Sequence, residues 1–209
     1  MAADIRKAIE DGILGNIVEI GLRMKYHRSE EYYASSSWRG TFAMDGGGAL
    51  MNQGIHGIDF LISFFGLPES VFAYCRTKRH SIEVEDTAVA VIEFKDGPIG
   101  VIEATTSIEP GYPRTFEICG TKGTIIVEES SIKRWDIEGS EHEVTAGEFH
   151  NFRKPEAISH EGHKKEFEDV IDAIKNSRKP LVSSLEGKKS VELIKAIYKS
   201  SETGKKVIL

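Results

Sequence analysis

The stretch Thr87 to Thr106 reads TAVAVIEFKDGPIGVIEATT, and its reading decides the fold. Two alternating apolar runs, Thr87 to Phe94 and Ile99 to Thr106, flank Lys95-Asp96-Gly97, and Asp-Gly suits a tight turn. That pattern predicts an antiparallel hairpin. Upstream, Val71 to Lys78 reads as one more strand. Downstream, Thr115 to Cys119 and Thr124 to Glu128 form a pair around Gly120-Thr121-Lys122-Gly123. Ile132 to Ile137 and Glu141 to Thr145 continue the series more weakly. Near the N-terminus, Asn16 to Tyr26 has period two, with Ile17, Glu19, Gly21, Arg23 and Lys25 on one side and Val18, Ile20, Leu22, Met24 and Tyr26 on the other.

Helical spacing frames these strands. Ala2 to Gly12 places Ile5, Ile9 and Ile13 on one face, and Ala49 to Phe65 is apolar enough to be a largely buried helix stopped by Gly66-Leu67-Pro68. Glu161 to Lys175 and Ser184 to Ser201 are the last two helices, closed by Lys179-Pro180 and Gly204. His27 to Asp45 has no period and reads as a long loop, and Asn151 to Ile158 is irregular. The expected fold is α+β: a large, mostly antiparallel open sheet with helices on one face, in a single domain over residues 1–209. The uncovered sheet face calls for a second copy, hence a homodimer or homotetramer.

Composition narrows the function classes. Of 209 residues, 40% are hydrophobic and 29% charged, and the net charge of -6 disfavours nucleic-acid binding, which needs a positive face. No apolar run approaches the ~20 residues of a membrane span, and no signal peptide is recognisable, so a cytoplasmic protein is expected. Two cysteines, Cys75 and Cys119, sit in strand-like stretches and are expected to be reduced and buried. A Gly-x-Gly-x-x-Gly turn between strand and helix is missing, as are Walker, Gly-x-Ser-x-Gly and His-Glu-x-x-His motifs. His56, Asp59, His160 and His163 do not complete a ligand set, so no metal is expected.

The chemistry gathers around the buried helix. Asn52, His56 and Asp59 are four and three residues apart and share one helical face among apolar neighbours. Such a histidine can be a satisfied core group bonded to Asp59 or to a carbonyl. Gly54 and Gly57 beside it suggest close approach by a ligand or another backbone. The preceding loop adds Lys25, His27, Arg28, Tyr32, Tyr33, Trp38 and Arg39, rings and guanidinium groups suited to a polyhydroxylated or anionic ligand.

Read together, Trp38-Arg39-Gly40 and Gly46-Gly47-Gly48-Ala49-Leu50-Met51-Asn52-Gln53-Gly54-Ile55-His56 closely resemble the C-terminal domain of the Gfo/Idh/MocA oxidoreductases, glucose–fructose oxidoreductase and inositol dehydrogenase among them. The Asn-Gln-x-x-His form is most similar to the branch acting on nucleotide-linked amino sugars. The likeness continues through Glu85-Asp86-Thr87-Ala88, Gly120 to Gly123 and Lys188 to Gly204 with its Ala196-Ile197-Tyr198, and so covers nearly the whole chain.

The resemblance implies the glyceraldehyde-3-phosphate-dehydrogenase-like sheet domain and a role in an NAD- or NADP-dependent oxidoreductase of a sugar, cyclitol or nucleotide sugar. It makes His56 the catalytic residue, hydrogen-bonding the reacting hydroxyl or taking its proton, and it puts Trp38 and Arg39 toward the cofactor. Many members carry Asp where this chain has Asn52, so Asn52 is expected to orient or bind the sugar. The expected substrate-binding set is Lys25, Arg28, Tyr33, Asn52, His56 and His160. The family's Rossmann domain and its Glu-Lys-Pro lysine have no counterpart here. The chain alone is therefore not expected to bind NAD(P) or to catalyse, and a separate Rossmann-domain chain is a candidate partner. Either it is part of a longer protein, or it is a stand-alone sugar-binding or assembly module.

Overall fold

In the computed structural model, which describes residues 1–142, 144 and 161–209, eight strands form one sheet. They are β1 (Ile17–Lys25), β2 (Ser70–Arg76), β3 (Thr87–Glu93), β4 (Ile99–Thr105), β5 (Thr115–Gly120), β6 (Gly123–Glu128), β7 (Ser131–Ile137) and β8 (Val207–Ile208). Their order is β7-β6-β5-β1-β4-β3-β2-β8. The helices are α1 (Ala2–Glu10), α2 (Glu30–Ala34), α3 (Ile55–Phe65), α4 (Glu161–Lys175) and α5 (Ser184–Thr203). A π-helical segment, Ala49–Gly54, runs directly into α3.

The β3–β4 hairpin follows its turn chemistry. Gly97 N donates to Phe94 O at 3.2 Å and Phe94 N to Pro98 O at 3.1 Å. Asp96 sits at φ 51°, the left-handed region that Asp tolerates better than most residues. One pairing departs from the antiparallel expectation: β1 lies parallel to β4, with Glu19 opposite Ile99 and Lys25 opposite Thr105. A parallel neighbour requires a long crossover, and the 73-residue run from Tyr26 to Pro98, carrying α2, α3, β2 and β3, supplies it. Every other described pairing is antiparallel.

Three further corrections concern local structure. The long loop contains α2, whose N-cap Ser29 accepts a hydrogen bond from Tyr32 N. The segment from Glu141 to Thr145 is not a strand at its described residues 141, 142 and 144. The short strand β8 was not expected; it follows Gly204, which closes α5 in the left-handed conformation, and pairs with β2. The expected irregular run Asn151 to Ile158 lies outside the described residues.

Strand alternation sorts side chains onto two faces. Ile20, Leu22 and Met24 of β1, Ile92 of β3, Ile102 of β4 and Phe116 and Ile118 of β5 enter one core with Ile58 and Leu61 of α3 and Leu193, Ile194 and Ile197 of α5. Ile5 and Ala8 add α1 to that core, and Arg6 Nη1 donates to Ser63 O at 2.8 Å near the end of α3. Asp59 does not bond His56. Its Oδ1 accepts from Ser190 Oγ at 2.9 Å and ties α3 to α5.

The other face is open among the described residues. Val89, Val91, Ile99 and Tyr74 are 45–58% exposed there. Beside this apolar half lies a charged one: Arg23 bonds Glu117 at 2.6 Å and Glu103 at 3.2 Å, and Lys25 reaches Glu103 at 2.8 Å. Cys75 and Cys119 are free thiols, half-buried rather than buried. No helix among the described residues is long and apolar enough to cross a membrane.

Candidate functional site

The site forms where the α2 loop meets the π-helical segment. A π turn is wider than an α turn and recurs at functional positions. Here it carries Asn52 and Gln53, whose side chains bond Asp45 and Tyr32 of the loop. Asn52 Nδ2 donates to Asp45 Oδ1 at 2.6 Å, and Gln53 Nε2 donates to Asn52 Oδ1 at 2.9 Å. Gln53 Nε2 also reaches the Tyr32 hydroxyl at 3.0 Å, and Arg39 Nη1 donates to that hydroxyl at 2.6 Å.

Around Tyr32 the loop makes a layered stack. The Arg39 guanidinium lies 4.2 Å from the Tyr32 ring centroid and 4.5 Å from that of Trp38, and Arg28 lies 5.3 Å from the Tyr32 ring. Planar cations between rings hold their shape with little loss of rotamer freedom. Arg28 Nε and Arg39 Nε are buried with no acceptor among the described residues. Beside the stack, a cleft of about 550 Å³ is lined by Arg28, Ser29, Glu31, Tyr32 and Glu109, a volume in the range of small-ligand sites.

The expected residues meet different fates. His56 is exposed on the first turn of α3, with no hydrogen-bond partner among the described residues. Lys25 points away from the stack, because alternation along β1 puts it with Arg23 on the open sheet face. Tyr33 is buried, packs against His80 and shares a 2.8 Å hydrogen bond with Thr106 Oγ1, and burial pushes its hydroxyl up to about 12. The tyrosine in the stack is its neighbour Tyr32. His160 lies outside the described residues. Tyr32 was named among the loop residues but not in the substrate-binding set, and Gln53 and Asp45 were in neither, although Gln53 stands inside the Asn-Gln-x-x-His string that signalled the site.

Of the two approaches expected at these glycines, a backbone one is found at Gly54 and a side-chain one at Gly57. A Cβ at Gly57 would meet Met24 Sδ at 2.6 Å, and one at Gly54 would meet Ala49 O at 2.9 Å. Both are small where the helix packs on β1 and on its own π turn.

Behind the stack, Asp86 and His80 are fully buried and 3.2 Å apart, and His80 Nε2 bonds Arg28 O at 2.9 Å. Burial pushes the Asp86 carboxyl up. Backbone N–H groups of His80, Arg79 and Lys78 more than offset this and hold it at about 2. Among the described residues no cluster of three or more acidic, histidine or cysteine side chains could hold a metal.

Known proteins share this fold. The WlbA dehydrogenase from Bordetella pertussis, solved in complex with NADH and UDP-GlcNAcA, superposes with a TM-score of 0.83 at 30% identity, covering 100% of this chain and 59% of that one. Myo-inositol 2-dehydrogenase from Thermotoga maritima is 27% identical over 217 residues, 98% of this chain and 60% of its own length. The uncharacterized oxidoreductase YhhX of Escherichia coli is 31% identical over 121 residues, 58% of this chain and 32% of its own length. The chain thus spans about a third to three fifths of the length of these curated relatives. A family model described as "Oxidoreductase family, C-terminal alpha/beta domain" matches residues 6–209, and the chain belongs to that family, the Gfo/Idh/MocA oxidoreductases.

Proposed function

We propose that this chain is the substrate-binding and assembly domain of a nicotinamide-dependent oxidoreductase of a sugar, cyclitol or nucleotide sugar, and that it does not catalyse by itself. One observation carries the reading: the Tyr32 hydroxyl accepts from both Arg39 and Gln53, locking the guanidinium stack to the polar turn that leads to His56. Ring faces and fixed donors beside a cleft suit a polyhydroxylated ligand, with the stack offering positive charge to an anionic group. In this reading Asn52, held by Asp45 and Gln53, orients the sugar, and the exposed imidazole of His56, with no hydrogen-bond partner among the described residues, takes a proton from a hydroxyl.

WlbA was solved with NADH and levoglucosan dehydrogenase with NADH and levoglucosan, so relatives use this cofactor. The described residues fit it in part only. Trp38 and Arg39 offer a stacking surface, but the Gly120–Gly123 turn joins two strands and Gly46–Gly48 follows a loop, so no strand-to-helix turn cradles a pyrophosphate. The open sheet face, with Val89, Val91 and Ile99 exposed, is the proposed assembly surface.

Calorimetry separates the readings. Titrated with UDP-GlcNAcA and with myo-inositol, the chain should bind at least one at millimolar concentration, and Arg39→Ala should weaken that binding about tenfold or more. NADH should give no heat under the same conditions. Micromolar NADH binding, or sugar binding indifferent to Arg39, would overturn the proposal.

A further inference from the structure

The Glu85-Asp86-Thr87-Ala88 string has no part in the site as built so far, yet the first two of its residues lie behind it. The first N–H groups of a helix have no partner within the helix and must find acceptors elsewhere. At the start of the π-helical segment one residue supplies three of them. Gly48 N donates to Glu85 Oε2 at 3.0 Å, Ala49 N to the Glu85 carbonyl at 2.9 Å, and Leu50 N to Glu85 Oε1 at 2.9 Å. From α5, the Tyr198 hydroxyl donates to the same Oε1 at 2.9 Å and fixes the rotamer of the carboxylate. Glu85 is buried, and Gly47 and Gly48 lie so close to Tyr198 and to the Glu85 carbonyl that neither could carry a Cβ in place. Three hydrogen bonds hold the carboxylate in this arrangement.

Its neighbours hold other parts of the site. Glu83 Oε2 accepts from Phe42 N at 3.1 Å, and Glu83 N donates to Gly40 O at 3.1 Å, fixing the loop just after Arg39. Asp86 acts through His80 on the Arg28 carbonyl. We propose that Glu85 is the positioning residue of the Asn52–Gln53–His56 segment, and that Tyr198 is the residue that keeps it in place. A π turn is less regular than an α turn, so the direction of Asn52 and Gln53 depends on how firmly its first N–H groups are held. The ligand role of those residues rests on the proposed function. The dependence of their geometry on Glu85 does not.

Nitrogen–proton NMR on the full 209-residue chain tests this without a ligand. In Glu85→Gln one acceptor becomes an NH₂ group facing a backbone N–H. The Asn52 and Gln53 side-chain amide signals should then move toward free-amide positions, and hydrogen exchange at the Leu50 and Asn52 amides should quicken about tenfold. Tyr198→Phe, which keeps the carboxylate, should act in the same direction and less. Glu83→Gln should leave the Asn52 and Gln53 signals in place and shift the Trp38 indole instead. Should Glu85→Gln fail to fold, Tyr198→Phe decides. A residue that only stabilises would lower the melting temperature of both variants and leave the Asn52 and Gln53 signals where they were, and that result overturns the proposal. Absent sugar binding by the unaltered chain overturns the functional reading but leaves this one standing.

Discussion

The two faces of the sheet are written by the same alternation and end in opposite states. On one, Ile20, Leu22, Met24 and Ile102 are at most 1% exposed beneath α1, α3 and α5. On the other, Val91 is 53% and Ile99 58% exposed beside the Arg23–Glu103–Glu117 ion pairs. A strand pattern says which residues share a face. What covers the face is decided by other elements, and only one side has them among the described residues.

The largest expected effect lies on the covered side. Ile102→Ala should cost about 2–5 kcal/mol in denaturant unfolding, because the helices cannot collapse onto the hole. Val91→Ala, on the same sheet but facing out, should stay within about 0.5 kcal/mol under conditions that keep the chain monomeric. Equal costs at the two positions would erase the distinction between the faces. Val91→Glu sharpens it from the other direction: in light scattering it should convert an assembled wild type into monomers with little change in fold.

A second effect separates neighbouring carboxylates. The fold holds the Asp86 carboxyl at about 2 against its ordinary 3.8, so its contribution, on the order of 2 kcal/mol, is present above pH 3.8 and is lost as pH falls toward 2. Asp86→Asn should remove this acid-side limb from the pH dependence of unfolding. Glu85 has the opposite sign. Burial pushes its carboxyl above 4.5, outweighing its hydrogen bonds from Leu50, Tyr198 and Gly48. Its contribution is therefore present below pH 4.5 and lost as pH rises through the folded value. Relative to wild type, Glu85→Gln should flatten the decline in stability above that pH.

The smallest effect is expected at His56. It is exposed and unbonded among the described residues, so His56→Ala should leave the melting temperature nearly unchanged. A sharp drop would mean that the imidazole supports the fold.

How much could be read in the sequence follows the range of the forces involved. The β3–β4 hairpin was legible because Asp96-Gly97 and the flanking alternation are local signals. The parallel β1–β4 pair was not, since its partners are separated by some 80 residues and nothing near either strand encodes the other. The site was legible as a string but not as a geometry. Tyr32 and Tyr33 have identical chemistry, and only packing against His80 and Thr106 commits Tyr33 to the interior. The π turn that brings Gln53 beside Asn52 shifts the helical phase in a way that residue spacing does not report. Glu85 stood in the sequence only as part of the Glu85-Asp86-Thr87-Ala88 string, because the three N–H groups it holds lie some 35 residues earlier.

The most direct measurement maps where a sugar nucleotide binds. UDP-GlcNAcA, added to isotope-labelled chain, should shift the side-chain amides of Asn52 and Gln53, the His56 ring and the Trp38 indole together, with one shared saturation curve. Shifts confined to the open sheet face, or none at millimolar ligand, would contradict the assignment of this surface as a sugar-binding site.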